Sequence, residues 1–388
     1  MTETNSIYMI FTIAFILFTS PFLASLVRLP TAPVEIVLGS FLAFLHFLNP
    51  DDAIFELMSE VGFYYLMFLA GTEVNLNLLL KLEKSLFLKG SIYLAVLYIL
   101  SLCVSYALAL PSIFIFIFSL ISVGLIMPLF NEFGKEQKWL NLAMNIGILG
   151  ELLTIVLLTI VAAVLENGIG EKLFNSVGLF LLFLVSVFLS FRLLKVIFWW
   201  HPEWKKLLVP KSEDKDEKDI RISMAIFFFM VALATILHLE VAFGAFLAGI
   251  FIATFFEYKE KLPHKLSTFG FGFLIPIFFI HVGSMFEVKY LLNHKLVLEA
   301  FLITIATIMI RFIASFVFGG LLKLKEKVLF ALSHSMPLTL LIAIATLALQ
   351  YKSIAQFHYY ALILASLIEV IISMASIKLI KTTFRQEA

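Results

Sequence analysis

Charge is what this chain has least of. Asp, Glu, Lys and Arg make up only 14% of its 388 residues, against roughly 25% in an average soluble domain. Cysteine is nearly absent: the single Cys103 excludes a disulfide framework and a cysteine metal cluster. The formal net charge of +1 leaves no basic surface for a nucleic acid. Neither GxxxxGK[ST] nor GxGxxG occurs, which excludes the common nucleotide cradles and leaves ATP-driven work unsupported. HExxH and a Ser/His/Asp set are also missing, so no enzyme and no cofactor is expected. Period-two alternation is lacking too, which argues against a barrel.

What the chain has instead is apolar length. Hydrophobic residues make up 62% of it and the mean hydropathy is +1.04. A bilayer takes about 20 helical residues to cross. Runs of that order occur at 6–27, 31–48, 55–73, 87–110, 112–133, 139–165, 173–199, 221–238, 240–257, 267–286, 296–322, 327–350 and 356–380. The expectation is an all-α polytopic membrane protein with about thirteen transmembrane helices. No Lys or Arg precedes the first run, so it reads as a retained helix rather than a secretory signal.

The basic residues sort strongly by side. With these spans, 23 Lys and Arg fall on one side and Lys172, Lys289, Lys295 and Lys352 on the other, with Arg311 inside a span. The positive-inside rule then predicts the N-terminus outside and the C-terminus in the cytoplasm. The longest polar stretch, 201–220, reads as a solvated cytoplasmic linker, and Trp199, Trp200 and Trp204 suit an interfacial anchor. The linker separates residues 1–200, six spans plus a linking seventh, from residues 221–388, six more. An offset of seven spans makes matched helices antiparallel, the pattern of inverted repeats in secondary transporters. Matched spans 112–133 and 327–350 carry Pro128 and Pro337 among small and polar residues, which predicts a pair of broken helices.

Within the spans the ionisable groups are few: Glu151, Arg311, Glu369, His281 and His334. Glu299 falls near the end of its span. A carboxylate at the depth of Glu151 costs on the order of 3 kcal/mol to insert, so it reads as part of an ion or proton pathway. Arg311 keeps its proton in proteins and must be paired or hydrated. Two readings stand: Glu151 binds a cation or proton while Arg311 tunes it, or the two form a permanent salt bridge in a scaffold. Glu369 lies on the span that pairs with that of Glu151. His281 and His334 read first as packing histidines, and His281 also as a pH-sensing candidate.

Three further segments carry a resemblance. Residues 29–44, LPTAPVEIVLGSFLAF, 62–77, VGFYYLMFLAGTEVNL, and 272–283, GFLIPIFFIHVG, resemble in order and spacing the monovalent cation:proton antiporters of the Kef/NapA type, which are sodium/hydrogen exchanger-like. The resemblance covers roughly 10–380. It implies a homodimer of thirteen-helix protomers in the inner membrane, crossing broken helices at spans 112–133 and 327–350, and a role in pH homeostasis. It places the family's polar-acid pair on Gly150 and Glu151 and the buried basic residue on Arg311. Two departures stand out: Gly150 supplies no polar ligand, and 337–340 reads Pro-Leu-Thr-Leu where Kef-type relatives often carry Arg-Gly-Glu. No nucleotide-binding domain is expected after the last span.

The expectation is therefore exchange of a monovalent cation, Na⁺ foremost with Li⁺ or K⁺ as alternatives, for H⁺. Both would compete at Glu151 in a 1:1 electroneutral cycle, with Ser122, Ser335 and Thr339 as further ligands and Glu369, His281 and Glu73 as accessory groups. The alternatives are an organic-anion symporter, in which Arg311 faces the substrate, and a membrane scaffold or sensor that transports nothing.

Overall fold

The computed structural model is helical, with no strand among the described residues. These are 3–27, 29–74, 83–126, 136–167, 217–237, 241–256 and 261–383, with isolated positions at 129, 133, 134 and 239 and within 178–203. In chain order the helices are α1 (Glu3–Val27), α2 (Thr31–Phe44), α3 (Ala53–Glu73), α4 (Lys84–Ala107), α5 (Ile113–Ser119), α6 (Lys138–Asn167), α7 (Lys218–Ile236) and α8 (Val241–Phe255). Then come α9 (Lys261–Phe269), α10 (Ile275–Met285), α11 (His294–Ala314), α12 (Leu324–His334), α13 (Leu338–Gln350) and α14 (Gln356–Thr383).

Among the described residues, seven helical segments are long and apolar enough to cross a membrane, or eight if the bent pair α12–α13 counts as one span. α2 and α8 are shorter apolar helices. The expected count of thirteen is not confirmed by this. Pro128, most of span 173–199 and most of the linker 201–220 lie outside the described residues.

Local chemistry sets several boundaries. The Asp52 carboxylate accepts the Ile54 and Phe55 amides at 3.0 and 3.2 Å and so starts α3. Asn293 does the same for Lys295 at the start of α11, at 3.1 Å. Both cover amides that the first helical turn leaves without a partner. Between α9 and α10 the chain keeps its direction through a π-helical turn, Gly270–Leu274.

The chain forms two compact units. One takes residues 1–49, 81–155 and 282–388. In it α1 packs on α2, α4 on α5 and α11, and α14 on α11, α12 and α13. Its centre holds Tyr93, Phe318, Phe330 and His334 in mutual ring contact. The Glu35 carboxylate of α2 is buried there and accepts the Ser20 hydroxyl at 3.3 Å.

The other unit takes residues 50–80 and 156–281. Here α8 packs on α3 and α7. At the α3–α8 crossing Gly71 lies against the backbone of Phe246, and Gly249 against the backbone of Phe68. A side chain at either position would collide with main chain, so the pair lets two helices approach as small residues do in membrane bundles. The Tyr65 hydroxyl donates to the Leu266 carbonyl at 3.1 Å and ties α3 to α9.

Candidate functional site

α5 stops at Ser119, and Leu120 turns into extended backbone with φ −59° and ψ 133°. Residues 120–125 are not helical. The second interruption separates α12 from α13 at Ser335, Met336 and Pro337, with a bend of 45°. Both expected breaks are present. The first begins several residues before Pro128, and its cause is visible in the side chains that answer its backbone.

In a membrane interior, backbone groups released from a helix need partners. Glu151, on α6 and 1% exposed, accepts the Val123 amide on Oε2 at 3.0 Å and the Ser122 hydroxyl on Oε1 at 3.4 Å. The Gly124 amide donates to the Ser122 Oγ at 3.4 Å. Arg311, on α11 and fully buried, donates from Nη2 to the Leu120 carbonyl and from Nη1 to the Thr307 carbonyl, the latter at 3.1 Å. A carboxylate from one helix and a guanidinium from another thus replace the helix bonds that Leu120–Val123 gave up.

Gly150 takes its meaning from the same contact. A Cβ there would meet Ile121 Cδ1 at 2.8 Å and Leu94 Cδ2 at 3.3 Å. A Cβ on Gly147, one turn earlier, would meet Val123 Cγ1 at 2.7 Å. Gly147, Gly150 and Glu151 share one face of α6, and the two glycines let the broken segment lie close enough for its amide to reach the carboxylate. The sequence shows a missing ligand at Gly150; the structure shows a space that Ile121 fills.

The other expected residues divide. Ser122 is joined to Glu151 by its hydroxyl. Ser335 is buried, but its hydroxyl donates back to the Ala331 carbonyl at 2.8 Å and no hydrogen bond joins it to Glu151. Thr339, on the first turn of α13, is half-buried and likewise unjoined to Glu151. Pro337 caps the start of α13, its carbonyl accepting the Leu341 amide at 2.8 Å. Arg311 forms no ion pair with Glu151. The carboxylate that acts on its charge is Glu369 of α14, fully buried and also beside Thr307.

His334 is fully buried, with Nε2 2.9 Å from the Ala143 carbonyl and Nδ1 3.1 Å from the Tyr93 hydroxyl. A carbonyl only accepts, so Nε2 carries the proton and Nδ1 accepts from Tyr93. His334 is a packing histidine. His281 has the same character, its Nε2 3.0 Å from the Pro50 carbonyl and its ring edge-on to Phe55. Glu73 closes α3 in the other unit, its Oε2 buried with no hydrogen-bond partner among the described residues. No group of three or more His, Cys, Asp or Glu placed to hold a metal ion occurs among the described residues.

Sequence reasoning missed the Val123 amide, Thr307, and Tyr98, whose hydroxyl lies by Ser119 and Thr154. Helical spacing offered a signal for Thr307, four residues before Arg311, and an indirect one for Tyr98 through Thr154, three residues after Glu151.

A family model for the sodium/hydrogen exchanger transmembrane region matches residues 12–381, nearly the whole chain. The chain belongs to the sodium/hydrogen exchanger family. Among its relatives, the Bacillus subtilis protein YjbQ, named a putative Na(+)/H(+) antiporter, is 28% identical over 76% of this chain and 50% of its own length. This chain therefore spans about half of that relative. A Methanocaldococcus jannaschii protein named probable Na(+)/H(+) antiporter 3 is 26% identical over 80% of this chain and 79% of its own. The solved sodium proton antiporter MjNhaP1 from the same archaeon superposes with a TM-score of 0.68 over 96% of this chain and 100% of its own, at 16% identity, and so shares the fold. The resemblance seen in the sequence holds at the level of this exchanger family, whose members here are named as transporters and not as enzymes. The chain is a multi-pass membrane protein.

Proposed function

We propose that this exchanger trades a monovalent cation, Na⁺ foremost, for H⁺, the two competing for the Glu151 carboxylate. The observation that carries the reading is the seat of Glu151: a buried carboxylate held by the Val123 amide and Ser122 hydroxyl of a broken helix. Broken helices offer unwound carbonyls to Na⁺ or H⁺ in secondary transporters, and oxygen donors suit hard cations. A proton on Glu151 and a cation beside it are alternatives at one charge. Arg311 keeps its proton, so one cation exchanges for one proton and no net charge moves. Ser335 and Thr339, at the second break, complete the ligand set when the two interrupted helices shift. The names of the relatives support Na⁺, with Li⁺ and K⁺ as competitors.

The working unit is a homodimer in the inner membrane, N-terminus outside and C-terminus cytoplasmic. Its repeats are residues 1–200 and 221–388, joined by 201–220. The resemblance and the asymmetry of basic residues support this arrangement. Everted vesicles, acidified inside and followed with a quenched dye, test the exchange. Wild type dequenches on addition of Na⁺ and Glu151→Gln does not. Proteoliposomes at zero pH gradient test the ratio: a cation-driven electrical potential overturns one-for-one exchange. If wild type responds to no cation while folding normally, the symporter and scaffold readings replace this one.

A further inference from the structure

Four buried polar atoms of one neighbourhood have no hydrogen-bond partner among the described residues: Glu369 Oε1 and Oε2, Thr307 Oγ1 and Arg311 Nε. They come from two packed helices, α11 and α14, and all three residues are fully buried. Orphaned buried polar atoms are rare in folded proteins, and a cluster of them marks an unseen water, ion or proton. A carboxylate withdrawn from water without a bonded partner costs several kcal/mol. Arg311 attracts Glu369 without bonding it, since its Nη groups are engaged by the Thr307 and Leu120 carbonyls.

We propose that Arg311, Thr307 and Glu369 form a second ionisable site between α11 and α14, in which Glu369 holds an exchangeable proton against ordered water and, through Arg311, positions the broken segment that seats Glu151. When Glu369 is a neutral acid, Arg311 spends its donors on the two carbonyls and the break is held. When the proton leaves to water, the carboxylate draws the guanidinium towards its idle Nε side and the hold on Leu120 slackens. Glu369 is thus a positioning residue. Its proton tunes the cycle and is not one of those exchanged.

Other groups do not confuse the assignment. Among the helices packed on α14, α12 contributes His334, already bonded to Tyr93 and Ala143, and α13 has no ionisable residue. Tyr93 of α4 meets the cluster only through Arg311. The remaining charges lie at helix ends: His294, Lys295 and Glu299 near the start of α11 and His358 near that of α14, then Lys325, Glu326 and Lys327 on the first turn of α12 and Lys378 and Lys381 near the end of α14.

The proposal rests on Glu151 as the exchange site for its consequence but not for its detection. Infrared difference spectra over a pH titration, on the full protein in lipid, read the carboxylic-acid C=O stretch. The band expected for Glu369 is present in Glu151→Gln, shifts in Thr307→Val, and is lost in the Glu151→Gln/Glu369→Gln double variant. Spectra identical with and without Glu369 overturn the proposal, whatever becomes of transport. In vesicles, Glu369→Gln flattens the pH profile of the maximal rate while the apparent KM for Na⁺ changes less than about threefold, and Glu369→Asp recovers part of the pH response. An unchanged pH profile, or a change in charge moved per cation, overturns it as well. If Glu151→Gln still exchanges, the reading of Glu151 fails while the infrared test of Glu369 stands.

Discussion

The two interruptions of the helical bundle look alike in sequence and are stabilised differently. At 120–125 the free backbone groups are answered by charge: the Glu151 carboxylate takes the Val123 amide, and the Arg311 guanidinium gives to the Leu120 carbonyl. At 335–337 the partners among the described residues are neutral. Ser335 donates to Ala331, Ser373 donates to the Ser335 carbonyl at 3.4 Å, and His334 is fixed between Tyr93 and Ala143. A neutral hydrogen bond holds a bend at any pH. A carboxylate holds it in a way that depends on a proton or a cation. The difference teaches that two similar interruptions can be held in two ways, the first by ionisable side chains and the second by neutral hydrogen bonds.

Substitutions at the two breaks sharpen or break that contrast. The largest effect is expected from Glu151→Gln, which keeps the side-chain volume and removes the charge. Exchange falls to background in the vesicle assay while the melting temperature is kept, and residual Na⁺-dependent dequenching would refute the assignment. Next comes Arg311→Met, which strands the Leu120 carbonyl and leaves Glu369 buried without its cation. Breaking such a charge system costs about 3–5 kcal/mol, read as a lost or strongly lowered unfolding transition in detergent, with Arg311→Lys intermediate.

At the second break, His334→Leu leaves the Tyr93 hydroxyl without its partner and removes the bond to the Ala143 carbonyl. The expected loss is about 1–3 kcal/mol of stability, with the pH profile of exchange unchanged; a shifted profile would put chemistry at this break too. Gly150→Ala tests the close approach. Its Cβ, 2.8 Å from Ile121 Cδ1, requires the broken segment to give way. Overpacking of this kind costs about 1–3 kcal/mol and here weakens Na⁺ affinity, a result that a mere absence of ligand at Gly150 does not foresee. Ser122→Ala is the mildest: a single long hydrogen bond to Glu151 is worth about 0.5–1.5 kcal/mol, up to roughly tenfold in KM.

Much of this was legible before any coordinates. Glu151 and Arg311 stood out because each is a charge in an apolar run, and that expense is a property of the residue and its depth alone. Pro337 marked the second break correctly, since a proline forbids the helix bond wherever it sits. The first break was legible only as a pair to the second. The chain leaves the helix at Leu120, where no proline or glycine stands. The Val123 amide at Glu151 was invisible for a different reason: every residue but proline has one. At Gly150 the sequence shows only an absent side chain, which carries no sign that Ile121 packs in its place.

The sequence by itself determined that this is a helical membrane protein with a few charges sunk in its spans, because transfer and helix formation depend on neighbours along the chain. Only the tertiary structure decided which charges meet. Val123 and Glu151 are 28 residues apart, and Leu120 and Arg311 are 191 apart. Helical periodicity assigns a residue to a face, but which faces meet is settled by how the helices pack. That packing set Arg311 against Leu120 and Glu369 rather than against Glu151.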